Sequence, residues 1–480
     1  MSSPKSYDVL VLGSGQGGTP LASAFANAGK TVALIERSHI GGCCINEGCT
    51  PTKTMIASGR VAYLARRGAN DYGVRVGDVN VNMEKVRQRK RDIVESFRGG
   101  SERRLKDVKG LDVLIGEAKF TGEKTVEIKM TESGEIKNAK GDIIVLNVGE
   151  RPAKPNLPGV EDVDGSRVLD STSVQELGEV PKHLLVLGGG YIGLEFGQLF
   201  RRLGAEVTII QRGAQLLGRE DDDIANKMLE ILREDGITVH LKSNASRLSS
   251  SSDKDLPISL EITNKDGDKT LTGSHILFAA GRTPNTDTLN LPATGIEVDK
   301  RGHVKANPKL ETSVPGIYAL GDVKGGPAFT HVSYDDFRIL QANLISAASK
   351  PGFEPKTSTD RENKMPYVVY TDPQLGHVGL HENELRRDQP ERKIKVARMP
   401  MAYVARALET DESRGMMKGV VDAETGEILG FTCLGVEGGE IMSQVQMAMW
   451  GGLKWWDLQA MCIAHPTFAE SLNNVWGFLE

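Results

Sequence analysis

Two short apolar runs, each ending on a glycine cluster, predict an α/β chain with two Rossmann-like units. A last quarter that mixes strand and helix patterns without such a cluster predicts an α+β segment behind them. The first run, Asp8–Leu12 (DVLVL), enters Gly13-Ser-Gly15-Gln-Gly-Gly18. The second, His183–Leu187 (HLLVL), enters Gly188-Gly-Gly190-Tyr-Ile-Gly193. Each continues through a helix-like segment to a second apolar run, Thr31–Ile35 and Val207–Ile210, as a buried parallel βαβ unit requires.

The intervening and following elements are read in order. Residues 51–67 have proline in the first turn and arginines at the end, the pattern of a helix. Residues 111–148 alternate and carry turn signals at Thr121-Gly122 and Ser133-Gly134, so a β-meander is expected; residues 255–280 look similar. Ser249–Ser252 reads as a surface turn. From about Gly352 onward, strand-like YVVYT (367–371) and KIKVARM (393–399) mix with helices expected near 437–450 and 467–475.

Composition narrows the function classes. At 480 residues the chain needs two or three domains. Its net charge of −5 argues against a general nucleic-acid surface, which needs a basic stripe. No apolar run reaches the roughly 18–20 residues of a membrane span. The strand pattern starts almost at the N-terminus with no targeting segment ahead of it, so a cytoplasmic location is expected. Five cysteines in 480 residues do not make a disulfide framework, yet Cys43, Cys44 and Cys49 fall within seven residues. That clustering points to redox or metal chemistry.

The glycine clusters fit a dinucleotide fingerprint. The first glycine (Gly13, Gly188) turns the chain, the second (Gly15, Gly190) admits a pyrophosphate to the backbone, and the third (Gly18, Gly193) lets helix pack on strand. The helix N-terminus then offers free N–H groups to phosphate. Glu36 ends the second strand of the first unit, 23 residues after Gly13, where an acid binds ribose hydroxyls. In the second unit that place is held by Gln211, with Arg212 next to it. Losing the acid removes repulsion of a 2′-phosphate and the cation can bond to one, so NADPH is favoured over NADH. Arg219 is a second candidate phosphate contact; ordinary surface charge is the other reading of both arginines.

In Gly41-Gly-Cys-Cys44-Ile-Asn-Glu-Gly-Cys49-Thr-Pro-Thr-Lys53, Cys44 and Cys49 are close enough to pair across a turn at a helix start, where a thiolate is favoured. Structural cysteines and zinc are the other readings; no second Cys or His pair stands nearby at ligand spacing, and no metal site is expected.

At these residues the sequence resembles the class I pyridine nucleotide–disulfide oxidoreductases, and most of all their mercuric-reductase-like members. The resemblance runs over essentially the whole chain. It rests on the fingerprint at 13–18, GGxCxNxGCxPTK at 41–53, NVGERP at 147–152, GxGxxGxExG at 188–197, AAGRTPN at 279–285, IYALGDV at 317–323 and HPTFAE at 465–470. It implies FAD in the first unit, a nicotinamide cofactor in the second, and a homodimer. The domains would be 1–150 and 282–350 for FAD, 151–281 for NAD(P)H and 351–480 for dimerisation. Cys44–Cys49 would be the redox disulfide, with Cys49 beside the flavin and Cys44 attacking substrate. Lys53 would lie near the flavin and pair with Glu195. Asp322 would bind the ribityl chain, Gly281 would belong to the cofactor-binding set, and Tyr191 would cover the nicotinamide pocket. His465, oriented by Glu470, would be the general acid–base supplied by the partner subunit.

The resemblance leaves the substrate open between Hg(II) and a small disulfide. Mercuric reductases of the well-known kind carry a vicinal cysteine pair near the C-terminus, which this chain lacks; Cys43 and Cys462 are either relay thiols or small core residues, and Cys433 reads as core. A dihydrolipoyl dehydrogenase is disfavoured by Gln211. A glutathione reductase needs a cationic pocket, for which Arg60, Arg66 and Arg67 are candidates. A non-catalytic NAD(P)H-sensing dimer is the alternative of another class.

Overall fold

The computed structural model describes residues 3–265, 267–346 and 352–480. It divides into two compact units: Met1–Thr54, Gln88–Ala153 and Gly281–Asp360 form the first, and Met55–Arg87, Lys154–Ala280 and Arg361–Glu480 the second. The domain boundary expected at 350/351 lies outside the described residues.

The first unit is built on a six-stranded sheet. Strand Lys5–Leu12 lies parallel between Val32–Glu36 and Ile136–Leu146, with Val9 opposite both Val32 and Ile143. Its apolar run is buried on both faces, which explains why four consecutive positions, Val9 to Leu12, are all hydrophobic. The meander is present: Leu111–Gly122, Thr125–Met130 and Ile136–Leu146 pair antiparallel, while the first half of Leu111–Gly122 extends the parallel sheet beside Val32–Glu36. Helix Gly18–Asn27 packs its Leu21, Ala22, Phe25 and Ala26 face onto this sheet.

The second unit holds three sheets. In the parallel one, the strands run Thr238–His240, Glu206–Ile210, His183–Leu187, His275–Phe278, Val168–Leu169. Residues 255–280 split: Ile258–Asn264 and Gly267–Gly273 form an antiparallel sheet with Asn244–Ser250, and His275–Phe278 joins the parallel one. Ser249 and Ser250 therefore end a strand instead of standing in a turn. The C-terminal sheet has five antiparallel strands, with helix Gly438–Trp450 packed on it.

Three helical readings change. The helix expected over 51–67 runs from Cys49 to Asp71. The segment 467–475 breaks into 3₁₀ turns around Ser471–Asn474, because Thr467 caps a turn at Glu470 instead of starting a regular helix. Helix Met83–Lys106 has no counterpart in the sequence reading. Among the described residues, no helix is long and apolar enough to cross a membrane.

Candidate active site

The first glycine loop is shaped by close approach. A Cβ on Gly13, whose φ is +98°, would lie 2.3 Å from the Asn147 carbonyl oxygen, and one on Gly18 would lie 2.2 Å from that of Gly13. The Ser14 amide and hydroxyl both donate to Glu36 Oε2, at 3.0 and 2.7 Å. The glycines of the cysteine motif are strapped to the same loop. Gly41 N donates to Ser14 Oγ at 3.1 Å, Gln16 Nε2 donates to the Gly41 carbonyl at 3.2 Å, and a Cβ on Gly42 would stand 2.6 Å from Gly15 Cα. The dinucleotide fingerprint thus fixes where the cysteines sit.

The cysteines follow on the short helix Gly42–Asn46 and at the start of Cys49–Asp71, joined by the Glu47 and Gly48 amides donating to the Cys43 carbonyl at 2.9 and 2.7 Å. Cys44 and Cys49 are both in the thiol form, not joined in a disulfide. Their shared hydrogen bond, and then burial, hold the Cys44 thiol far above its usual range, while the Thr330 hydroxyl works the other way. Thr330 Oγ1 also lies 3.4 Å from Cys49 Sγ, at the N-terminus of helix Thr330–Gln341. Lys53 stands one helical turn after Cys49. Cys43 is pushed up to about 11 by burial, against the pull of Arg282, whose Nη2 is 3.7 Å from the sulfur. Burial and then the Glu150 charge raise the Asp322 carboxyl to about 6. A bare glycine loop at a helix N-terminus, a ribose-ready acid at Glu36 and a desolvated acid at Asp322 fit a bound FAD.

The second loop repeats the first. Gly188 has φ +118° and would press a Cβ to 2.7 Å from the Ala279 carbonyl oxygen, whereas Gly190 faces open space. Gln211 braces the loop: its Oε1 accepts from Gly189 N at 3.1 Å and its Nε2 donates to the Gln215 carbonyl at 3.0 Å. Tyr191 opens helix Tyr191–Leu203 and is 37% exposed, next to the open face of Gly190. Arg212 is exposed. The charge of Arg219 bears on Tyr367 and His381. Glu195 is buried, and its Oε1 accepts from the Tyr370 amide at 2.9 Å.

His465 and Glu470 form a pair within the second unit. Nδ1 lies 2.8 and 3.1 Å from the two carboxylate oxygens, and Thr467 Oγ1 accepts from Glu470 N at 3.2 Å. The imidazole is 66% exposed. The expected sites therefore divide. The first unit holds Gly13, Gly15, Gly18, Glu36, Cys44, Cys49, Lys53, Gly281 and Asp322. The second holds Gly188, Gly190, Tyr191, Gly193, Glu195, Gln211, Arg212, His465 and Glu470.

Residues 7–336 match the family model described as pyridine nucleotide-disulphide oxidoreductase, and residues 365–475 match the dimerisation domain of the same family. The chain belongs to the class I pyridine nucleotide–disulfide oxidoreductases. This family implies FAD and a pyridine nucleotide. The chain is 34% identical over 479 residues to the probable pyridine nucleotide-disulfide oxidoreductase RclA of Escherichia coli K12, covering 99% of each. It is 34% identical to a mercuric reductase of Bacillus cereus, over 97% of this chain and 70% of that one. A solved structure of the HOCl-induced flavoprotein disulfide reductase RclA from Escherichia coli superposes with a TM-score of 0.86 at 32% identity, covering 98% of this chain and 99% of that one.

Within this oxidoreductase, Thr330, Thr467 and Ser14 are site residues that the sequence reading missed or used only as spacing. Thr330 is 281 residues from Cys49, so no local pattern announces it. Thr467 stands inside HPTFAE and has a visible role once Glu470 is seen to need an anchor. The arginines that are candidates for a cationic pocket are engaged. Arg60 pairs with Asp372 and, at 2.7 Å, with Glu412. Arg67 pairs with Asp71, with Asp411 at 2.6 Å and with Glu412 at 3.1 Å; Arg66 donates to the Arg202 carbonyl.

Proposed function

We propose that this oxidoreductase takes a hydride from NADPH, reduces the Cys44–Cys49 disulfide through its flavin, and delivers the electron pair from Cys44 to a thiophilic substrate, either a soft metal ion such as Hg(II) or a small disulfide. The observation that carries this reading is the Cys44–Cys49 thiol pair sharing a hydrogen bond, with the Thr330 hydroxyl on Cys49. Residues 1–150 and 282–350 serve FAD, 151–281 the nicotinamide and 351–480 the dimer contact, in a cytoplasmic homodimer.

A bound FAD supplies what side chains lack, accepting hydride from the nicotinamide and passing two electrons to a sulfur–sulfur bond. The residues of the chain do the rest. The two glycine loops and their helix N-termini bind the pyrophosphates. Lys53 holds positive charge near the flavin, and Tyr191 covers the nicotinamide pocket. With Cys44 keeping its proton, the charge of the half-ionised pair rests on Cys49, stabilised by Thr330 and the helix N-terminus. Cys44 must lose that proton to attack. In the homodimer, His465 Nε2 of the partner subunit takes it and returns it to the leaving thiolate, while Glu470 holds Nδ1–H and so fixes the tautomer. For a disulfide the balance is NADPH, a proton and RSSR giving NADP⁺ and two RSH. For Hg(II), two electrons yield the neutral metal.

The engagement of Arg60, Arg66 and Arg67 in ion pairs and a backbone bond favours a metal ion or a small uncharged disulfide over a tripeptide with several carboxylates. A solved RclA chain is described as a Cu(II) complex, which supports testing copper beside Hg(II). The competing reading is a dihydrolipoyl dehydrogenase, since relatives of that name reach 33% identity. The deciding experiment compares kcat/KM for Hg(II), Cu(II), oxidised glutathione, lipoamide and a quinone under NADPH and NADH. A metal ion or small disulfide with NADPH is expected to lead. Lipoamide with NADH in first place would overturn the reading, and no turnover with any acceptor would favour a sensing dimer.

A further inference from the structure

Away from the cysteines, the described residues hold one group of metal-ligating side chains whose donor atoms converge: Glu220, His377 and His381, with one ligand atom from each within 4.8 Å of the others. They come from three elements of the second unit. Glu220 stands just before helix Asp222–Glu234, His377 lies on strand Gln374–Gly379, and His381 is the N-cap of helix Glu382–Asp388. All three are buried, at 5, 2 and 6% exposure. The two imidazoles stack, with centroids 3.8 Å apart. The Tyr367 hydroxyl bridges Glu220 Oε1 and His381 Nε2, the latter at 3.1 Å.

Folding normally gives every buried polar atom a partner. Here Glu220 Oε2 has no hydrogen-bond partner among the described residues, and His381 Nδ1 has only the capping contact to the Glu384 amide in place of a full hydrogen bond. Lys418 is held by Asp221 at 2.8 Å and by Asp223 and Glu382 at 2.9 Å, and the charges of Lys418 and Arg219 both bear on His381.

We propose that Glu220, His377 and His381 form a binding site for a borderline divalent metal ion of the Zn(II), Co(II), Ni(II) or Cu(II) class. Two imidazoles and one carboxylate suit such ions, whereas Mg(II) and Ca(II) require oxygen ligands throughout. Glu220 Oε2 surrenders little by binding, and His381 offers either Nδ1 or, on releasing the Tyr367 hydroxyl, Nε2. His377 exchanges one existing contact, Nδ1 to Thr432 Oγ1 at 2.8 Å or Nε2 to the Gly379 carbonyl at 3.1 Å, and its ring turns out of the stack. Metal bonds of about 2.0–2.1 Å then draw the three donors together. The ion ties the segment after the second nucleotide loop to the C-terminal sheet and takes no part in electron flow through the cysteines.

The test uses FAD-loaded enzyme with its cysteine disulfide oxidised, stripped with a chelator, reloaded with Zn(II) and desalted. Elemental analysis is expected to find one zinc retained per wild-type chain, with affinity weakened roughly 100-fold or more in Glu220→Gln and His381→Gln. Bleaching of the flavin by NADPH is expected to be unchanged in both variants. Wild-type enzyme that retains no zinc overturns the proposal, as do variants that retain it equally well. Co(II) loading of the wild type decides the matter even if the variants do not fold. Ligand-field bands of a nitrogen–oxygen site support it, and thiolate charge-transfer bands, which would assign the ion to cysteines, overturn it.

Discussion

The hydroxyl oxygen of Thr330 lies 3.4 Å from the sulfur of Cys49, and the same hydroxyl lowers the cost of ionising Cys44. One side chain at a helix N-terminus thus bears on the sulfurs of both Cys44 and Cys49. Hydrogen bonds to charged groups contribute about 1.5–3 kcal/mol, so removing this one is expected to matter by roughly tenfold or more. Thr330→Val should weaken the long-wavelength thiolate–flavin absorbance of the two-electron-reduced enzyme and slow disulfide turnover about tenfold, while Thr330→Ser retains both. Rapid-scanning absorbance with steady-state rates checks this, and a full-strength band in Thr330→Val would remove Thr330 from the site.

The raised Cys44 thiol sets a pH dependence. Its hydrogen bond with Cys49, and then burial, keep the proton on at neutral pH, so attack requires a base. With His465 in place, turnover should be nearly flat from neutral to mildly alkaline pH. In His465→Ala the proton must leave to water. Turnover should then fall roughly 10²–10⁴-fold at pH 7 and climb as pH rises. Glu470→Gln, which keeps a hydrogen-bonding side chain beside Nδ1, should cost less. A pH–rate profile of His465→Ala parallel to the wild type would reject the assignment.

On the proposed NADPH reading, Gln211 and Arg212 have different parts in the nucleotide preference. Gln211 has both polar ends committed to its own loop, so Arg212 is the group free to meet a 2′-phosphate. Arg212→Ala is expected to raise KM for NADPH about tenfold and leave that for NADH unchanged, the scale of one charge-assisted bond. Equal effects on both nucleotides would contradict this.

Asp422 gives a stability test remote from the chemistry. The amides of Thr425 and Glu424 and the Arg392 guanidinium all donate to it, and they hold its carboxyl well below the usual range, the Thr425 amide most of all. A group whose folded pKa is depressed stabilises above its unfolded value, near 3.9, and loses that contribution as pH falls toward the folded value. Asp422→Ala should therefore lower Tm by about 2 °C at pH 7. The gap to wild type should close below about pH 4. A gap that stays constant with pH would mean that the charge is irrelevant.

The sequence made the nucleotide-binding core legible because its rules are local. HLLVL is the strand His183–Leu187, and DVLVL lies within Lys5–Leu12, since buried parallel strands announce themselves as unbroken apolar runs. Helix Met83–Lys106 was hidden because its buried face, Met83, Lys90, Val94, Ser101 and Leu105, includes two polar side chains. The roles proposed for the cysteines, His465 and Glu470 rest on family motifs. The Thr330 contact and the strap from Ser14 to Gly41 could not, because they join distant segments. His377 and His381 stand four apart in sequence, yet they lie on a strand and on a helix cap, so a helical spacing rule would bring them together for the wrong reason.

Anaerobic titration with one equivalent of NADPH tests the central claim most directly. Wild-type enzyme is expected to develop the long-wavelength thiolate–flavin band, and Cys49→Ser to bleach its flavin without it. Wild-type enzyme that bleaches with no such band, or a Cys49→Ser variant that retains it, would contradict electron transfer into the Cys44–Cys49 pair.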